Sequence, residues 1–285
     1  MAKIITIANQ KGGVGKTTTC VNLAASLADL KQRVLLIDLD PQGNATMGSG
    51  VNKHELTHTI CDALLEETTL DNIILETEAG FHIVPSNGDL TIAEVGLLQI
   101  ENREQRLHLL LEPVKENYDF ILLDCPPSLN MLTVNALVSA DSVLIPMQCE
   151  YYALEGLGGL QDTIASVQQV NPRLQIEGIL RTLYDGRNGL ARQVSEQLIA
   201  IFPDKVYQAI IPRNVRLAEA PSHGLPALQY DRYSAGAAAY LALAHEMLYG
   251  NEEAPQTSVH TTVSNETTDE APNFLKARSE GPVGN

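Results

Sequence analysis

Short aliphatic runs punctuate the first two-thirds of the chain without alternating between apolar and polar positions. Residues 3–8, 34–37, 120–123, 143–145 and 176–180 all read this way. A strand with one wet face alternates; a run that does not is covered on both faces, as in a parallel sheet between layers of helices. Between the runs, apolar residues recur at helical spacing over 17–30, 105–115, 129–139, 154–169 and 190–201, and 235–249 (AGAAAYLALAHEMLY) reads as a closing helix. The alternation predicts an α/β fold: a mostly parallel, twisted sheet with helices on both faces and right-handed crossovers.

Near residue 250 the pattern stops. Residues 251–285 are rich in Thr, Glu, Asn, Ser and Pro and poor in large aliphatics, so they bury too little surface to offset the entropy of ordering. The expectation is one folded domain over 1–250 and a disordered acidic and polar tail over 251–285. The domain pattern starts with the first residues, so no separate DNA-reading module is expected ahead of it.

Composition narrows the function classes. Of 285 residues, 44% are hydrophobic, ample for a core. No apolar run approaches the roughly 18 residues of a membrane span. The stretch from Ile4 to Ala8 is cut short by Asn9, Gln10 and Lys11, too early for a signal peptide. Cys20, Cys61, Cys125 and Cys149 are far apart in sequence, which argues against a zinc knuckle or disulfide framework and for buried free thiols in a reducing cytoplasm. A net charge of −16 on its own opposes nucleic-acid binding. From Arg173 to Arg232, however, eight basic residues meet six acidic ones, a local net of +2 supplied mainly by arginine.

The chemistry is concentrated at residues 9–19, "NQKGGVGKTTT". An ordinary phosphate-binding loop, G-x-x-x-x-G-K-[ST], has a glycine where Gln10 stands, and here a second lysine, Lys11, opens the glycine run. Gly12, Gly13 and Gly15 still let backbone N–H groups curl around phosphate oxygens, and the following helix adds the positive end of its dipole. Lys16 would reach the β- and γ-phosphates, and the Thr17 hydroxyl would ligate Mg²⁺. Val14 and Thr18 complete the nucleotide-binding run 11–18. Asp38 ends the apolar run of "LLIDLDPQGNAT", with Asp40 two residues on, and Asp124 ends that of "FILLDCPPS". Acids at the C-terminal ends of apolar strands suit the shell of a nucleotide-bound Mg²⁺.

"KGGVGKTT", "DLDPQGNAT", "DCPPSL", "CEYYALEGL" (149–157) and "IPRNVRLAEAPSHG" (211–224), in this order over about residues 1–249, resemble the ParA/Soj family of deviant Walker-A ATPases. The resemblance implies a P-loop NTPase fold, ATP with Mg²⁺ as cofactors, and an ATP-dependent homodimer in which Lys11 reaches the phosphates held by the other subunit. Asp40 sits where the family orients the hydrolytic water, Asp38 and Asp124 near the metal, and Pro212 and Asn214 in the adenine-contacting segment. Lys11, Lys16 and Asp40 are thus the expected catalytic residues. The implied role is chromosome or plasmid segregation with a ParB-type centromere-binding partner, on non-specific DNA contacted by Arg187, Arg216 and Arg232. The implied location is the cytoplasm, on the nucleoid.

Physics favours the use of Lys11 in trans, since a lysine at the front of the loop points away from its own γ-phosphate. A charge supplied across an interface would tie turnover to pairing. Two alternatives use the same scaffold. A membrane or protein-cargo switch of the MinD type would end in a basic amphipathic helix; here the last stretch offers only Lys276 and Arg278 beside Phe274 and Leu275, after an acidic 251–272, so no membrane is expected. A nitrogenase-type reductase needs cysteines that bridge a cluster across a dimer, and Cys125 and Cys149 do not match that pattern. Asn52–Glu55 (NKHE) loosely resembles a guanine reader but ends no expected strand. Residues 54–58, His54-Glu55-Leu56-Thr57-His58, satisfy H-E-x-x-H. Zinc would need both histidines on one helix face and a third ligand such as Glu76, Glu78 or His82; nothing else suggests a peptide cleft, and a polar surface helix is expected there.

Overall fold

The computed structural model describes residues 2–250, and in it the non-alternating runs are buried on both faces. Strands β1 (Lys3–Ile7), β2 (Val34–Asp38), β3 (Leu75–Glu76), β4 (His82–Val84), β5 (Phe120–Asp124), β6 (Ser142–Gln148), β7 (Gln175–Tyr184) and β8 (Val206–Pro212) form one sheet in the order β3-β4-β2-β5-β1-β6-β7-β8. All neighbours pair in parallel except β3 with β4, which is antiparallel. In β2, Leu35 and Ile37 join one core cluster while Val34 and Leu36 join the other; in β5, Ile121 and Leu123 oppose Phe120 and Leu122 in the same way. Two cores on one sheet explain why the runs carry no polar alternation.

Eleven helices cover the sheet among the described residues: α1 (Lys16–Asp29), α2 (Asn44–Gly48), α3 (Ile60–Leu64), α4 (Leu90–Gly96), α5 (Arg106–Leu111), α6 (Met131–Ser139), α7 (Ala153–Val167), α8 (Gly189–Ile201), α9 (Val215–Glu219), α10 (Ala227–Tyr230) and α11 (Ala235–Tyr249). Residues of α6, α7 and α8 pack into one core, and those of α1 and α9 to α11 into the other. The predicted fold class is therefore the observed one, while the expected tail, 251–285, lies outside the described residues. One expected helix is corrected. Residues 105–115 hold only α5, between 3-10 turns at Arg103–Gln105 and Lys115–Asn117. Glu112 still has helical backbone, φ −50° and ψ −44°, but Pro113 lacks the N–H a continuing helix needs.

The topology positions the site. From β1 the chain passes through α1 to β2, on the far side of β5; from β5 it passes through α6 to β6, on the other flank of β1. The C-terminal ends of β1, β2 and β5 thus converge at a point where the winding reverses, which is where open α/β sheets bind ligands.

Candidate functional site

The loop from Asn9 to Gly15 is fixed from behind by its neighbours. Asn9 is buried, donates through Nδ2 to the Pro146 carbonyl at 2.8 Å and accepts from the Lys11 N–H at 2.9 Å. Thr182, at the end of β7, donates its hydroxyl to the Val14 carbonyl at 2.7 Å. Gly13 and Gly15 have left-handed backbone, φ of 73° and 88°, which a β-carbon would strain. Gly15 caps α1 with no side-chain hydrogen bond, and the first turn holds no acid. The leading N–H groups of α1 therefore keep their capacity for an anion.

The two lysines behave differently. Lys16 is buried, its Nζ 3.3 Å from the Lys11 carbonyl. Burial lowers its pKa against the opposing pull of Asp124, Cys125 and Asp40. Lys11 is exposed, and its ammonium pairs with the Glu150 carboxylate just beyond β6 rather than with its own loop.

Facing the loop are the strand-end acids. Asp38 and Asp124 occupy the same register on β2 and β5 and are both fully buried. Asp38 accepts the Thr46 N–H at 2.8 Å, the Thr46 hydroxyl at 2.7 Å and the Asp40 N–H at 3.1 Å. Asp124 accepts the Cys20 thiol on Oδ1 at 3.3 Å and is also drawn by the Thr17 hydroxyl; its Oδ2 is buried with no partner. Burial first, and repulsion between neighbouring carboxylates second, raise the pKa of Asp124; burial, against the Thr46 bonds, raises that of Asp38. An unsatisfied buried carboxylate oxygen needs an explanation. A hard divalent cation fits it: oxygen donors are the right chemistry, and the cation's charge would offset both desolvation and repulsion. Asp40 is half-buried; its carbonyl accepts Ser86 Oγ and the Gly43 N–H, each at 2.9 Å, and its Oδ1 accepts the Gln42 N–H at 2.9 Å.

Lys16, Thr17, Asp38, Asp40 and Asp124 are thus brought together. Pro212 and Asn214 lie at the same sheet edge but three strands away, where Asn214 caps α9 by accepting the Leu217 N–H at 3.3 Å. The three arginines each pair with a carboxylate. Arg187 follows β7, 91% exposed, with a two-pronged pair to Asp185 at 2.9 and 2.8 Å. Arg216 pairs with Glu219 and Asp231, and Arg232 with Asp29 at the far end of α1. Arg181, one of the eight basic residues of that segment, is buried, where it donates to Ser195 Oγ and the Tyr207 carbonyl.

The surface helix expected over 54–58 is absent. Residues 53–55 turn, and α3 starts only at Ile60, capped by Thr59 with Asp62 accepting the Thr59 N–H at 2.7 Å. His54 and His58 hence share no helix face, and His58 faces Asp62 at 3.4 Å.

Sequence reading missed Thr46, Ser86, Thr182 and Asn9, which orient the acids and pin the loop. Thr46 lies inside the quoted "DLDPQGNAT"; Ser86 and Thr182 carry no local signal, because what they hold is distant in sequence.

A family model described as an AAA domain matches residues 2–176. The sporulation initiation inhibitor protein Soj of Bacillus subtilis (strain 168) is 53% identical over 249 residues, covering 87% of this chain and 98% of the relative. The chromosome partitioning protein ParA of Myxococcus xanthus (strain DK1622) is 52% identical over 250 residues, 87% of this chain and 88% of the relative. Among solved structures, cobyrinic acid a,c-diamide synthase from Mycobacterium smegmatis, with a bound ATP analog and magnesium, superposes with a TM-score of 0.76 at 36% identity, over 87% of this chain and 95% of that one.

Proposed function

The chain belongs to the ParA/Soj family of chromosome-partitioning ATPases, and from that footing we propose that it pairs with a second copy only while Mg–ATP is bound. In that paired state it holds DNA without sequence preference, until a ParB-type partner stimulates hydrolysis. The observation that carries this reading is the division of labour between the lysines. Lys16 is buried in its own cradle, whereas Lys11 is exposed and turned out of it.

The N–H groups of residues 12–18 cradle the phosphates, and Lys16 neutralises the β- and γ-oxygens. Thr17, Asp124 and Asp38 would hold Mg²⁺, which when bound would supply further neutralisation of phosphate charge. Asp40, its main chain held by Ser86 and Gly43, orients the attacking water. Lys11 leaves Glu150 to reach the partner's triphosphate. A cation arriving from across the interface stabilises charge only in the pair, so hydrolysis by one copy alone is slow. Pro212 and Asn214 contact the adenine. Arg187, Arg216 and Arg232 contact DNA phosphates; doubling them in the dimer raises affinity and steepens the dependence on salt, which lets an acidic chain hold DNA in one nucleotide state.

DNA retention measured with ATP, with ADP and without nucleotide tests the proposal, each with and without the ParB-type protein. Retention confined to ATP and shortened by the partner is the expected result. Equal retention in all three states contradicts it, and ATP-dependent pelleting with anionic vesicles in the absence of DNA would favour a membrane switch instead.

A further inference from the structure

We propose that Cys20 is a positioning residue of the magnesium site: its thiol holds one oxygen of Asp124 so that the other is presented to the metal. The inference rests on the Mg–ATP reading above. Cys20 lies one helical turn beyond Lys16 and three residues beyond Thr17, so all three project from one face of α1. α1 packs against β5, and Cys20 reaches the carboxylate that ends that strand. Both Cys20 and Asp124 are fully buried, and the Sγ to Oδ1 separation is 3.3 Å. The same carboxylate ends in an Oδ2 that is buried and has no partner. One oxygen is therefore anchored and the other left over, an arrangement that would cost stability unless a ligand completes it.

A thiol suits this task because it is a weak donor. It fixes the rotation of the carboxylate while withdrawing little of the negative charge that the cation needs. Partners of this kind orient metal-binding groups, and losing them typically weakens metal affinity about 10- to 100-fold. The weakness of a thiol bond sets the expectation at the lower end.

The test compares the full chain with Cys20→Ala, Cys20→Val and Cys20→Ser, using a fluorescent ATP analogue titrated in EDTA and in saturating Mg²⁺. The ratio of the two affinities isolates the metal's contribution from nucleotide binding itself. In Cys20→Ala and Cys20→Val that ratio should fall about tenfold, with affinity in EDTA unchanged. Cys20→Ser, which keeps a donor, should stay near the wild-type ratio. Valine fills the volume that alanine leaves, so a loss confined to alanine would indicate a packing effect and overturn the proposal. It is equally overturned if both non-donors keep the wild-type ratio, or if serine fails as badly as they do. A wild-type chain whose affinity does not respond to Mg²⁺ at all would instead overturn the underlying Mg–ATP reading.

Discussion

At the scale of single residues, the site is a balance of charges held out of water. Asp124 and Asp38 stand side by side with pKa values raised by burial. In the metal-free chain the folded state therefore keeps protons that the unfolded chain has released above about pH 4. More protons on the folded side means that stability falls as pH rises from that point, by up to about 1.4 kcal/mol per pH unit for one such group. Urea unfolding in EDTA between about pH 5 and 8 should show this decline, and Asp124→Asn should flatten it; an unchanged slope in the variant would remove Asp124 as its source. Mg²⁺ binds the ionised form, so its affinity should rise over the same range. These acids were legible in the sequence because each ends an aliphatic run. Arg181 was not: a count of charges sees one more cation, whereas the fold takes it inside to serve Ser195 and Tyr207.

At the scale of elements, the segment after β2 is closely specified by its contacts. Gly43, with φ 59°, starts α2, and a β-carbon there would lie 2.7 Å from the Ser86 carbonyl oxygen. Ser86 in turn holds the Asp40 main chain. Gly43→Ala should cost about 1–3 kcal/mol, read as a lower urea midpoint, and should slow ATP turnover because Asp40 shifts with the loop. Full stability with full turnover would mean that the loop re-forms without this contact. Elements of this size are where sequence reading weakens. The central strands announce themselves through double burial, but β3 and β4 have two and three residues, and β8 is an edge strand with mixed exposure. None produces a periodic signal long enough to read. Thr182 pinning Val14 depends on a contact between segments distant in sequence that no local pattern encodes, whereas Thr46 holds Asp38 from only eight residues on.

At the scale of the whole molecule, the proposed function requires a chain of net charge −16 to hold a polyanion. Each candidate arginine carries a carboxylate partner, and under the proposed function these pairs open when DNA phosphates replace the carboxylates. Two copies double the contacts. Arg187→Glu should abolish DNA retention in gel shift or biolayer measurements while ATP-dependent pairing survives; normal retention would exclude the loop after β7 from the DNA face. In the proposed function Lys11 acts across the pair, and the mass of the hydrolysis-blocked Asp40→Ala chain by light scattering, in saturating Mg–ATP, tests that most directly. A dimer is expected, reverting to monomer when Lys11→Ala is added. A monomeric Asp40→Ala chain, or a double variant that still pairs, would contradict it.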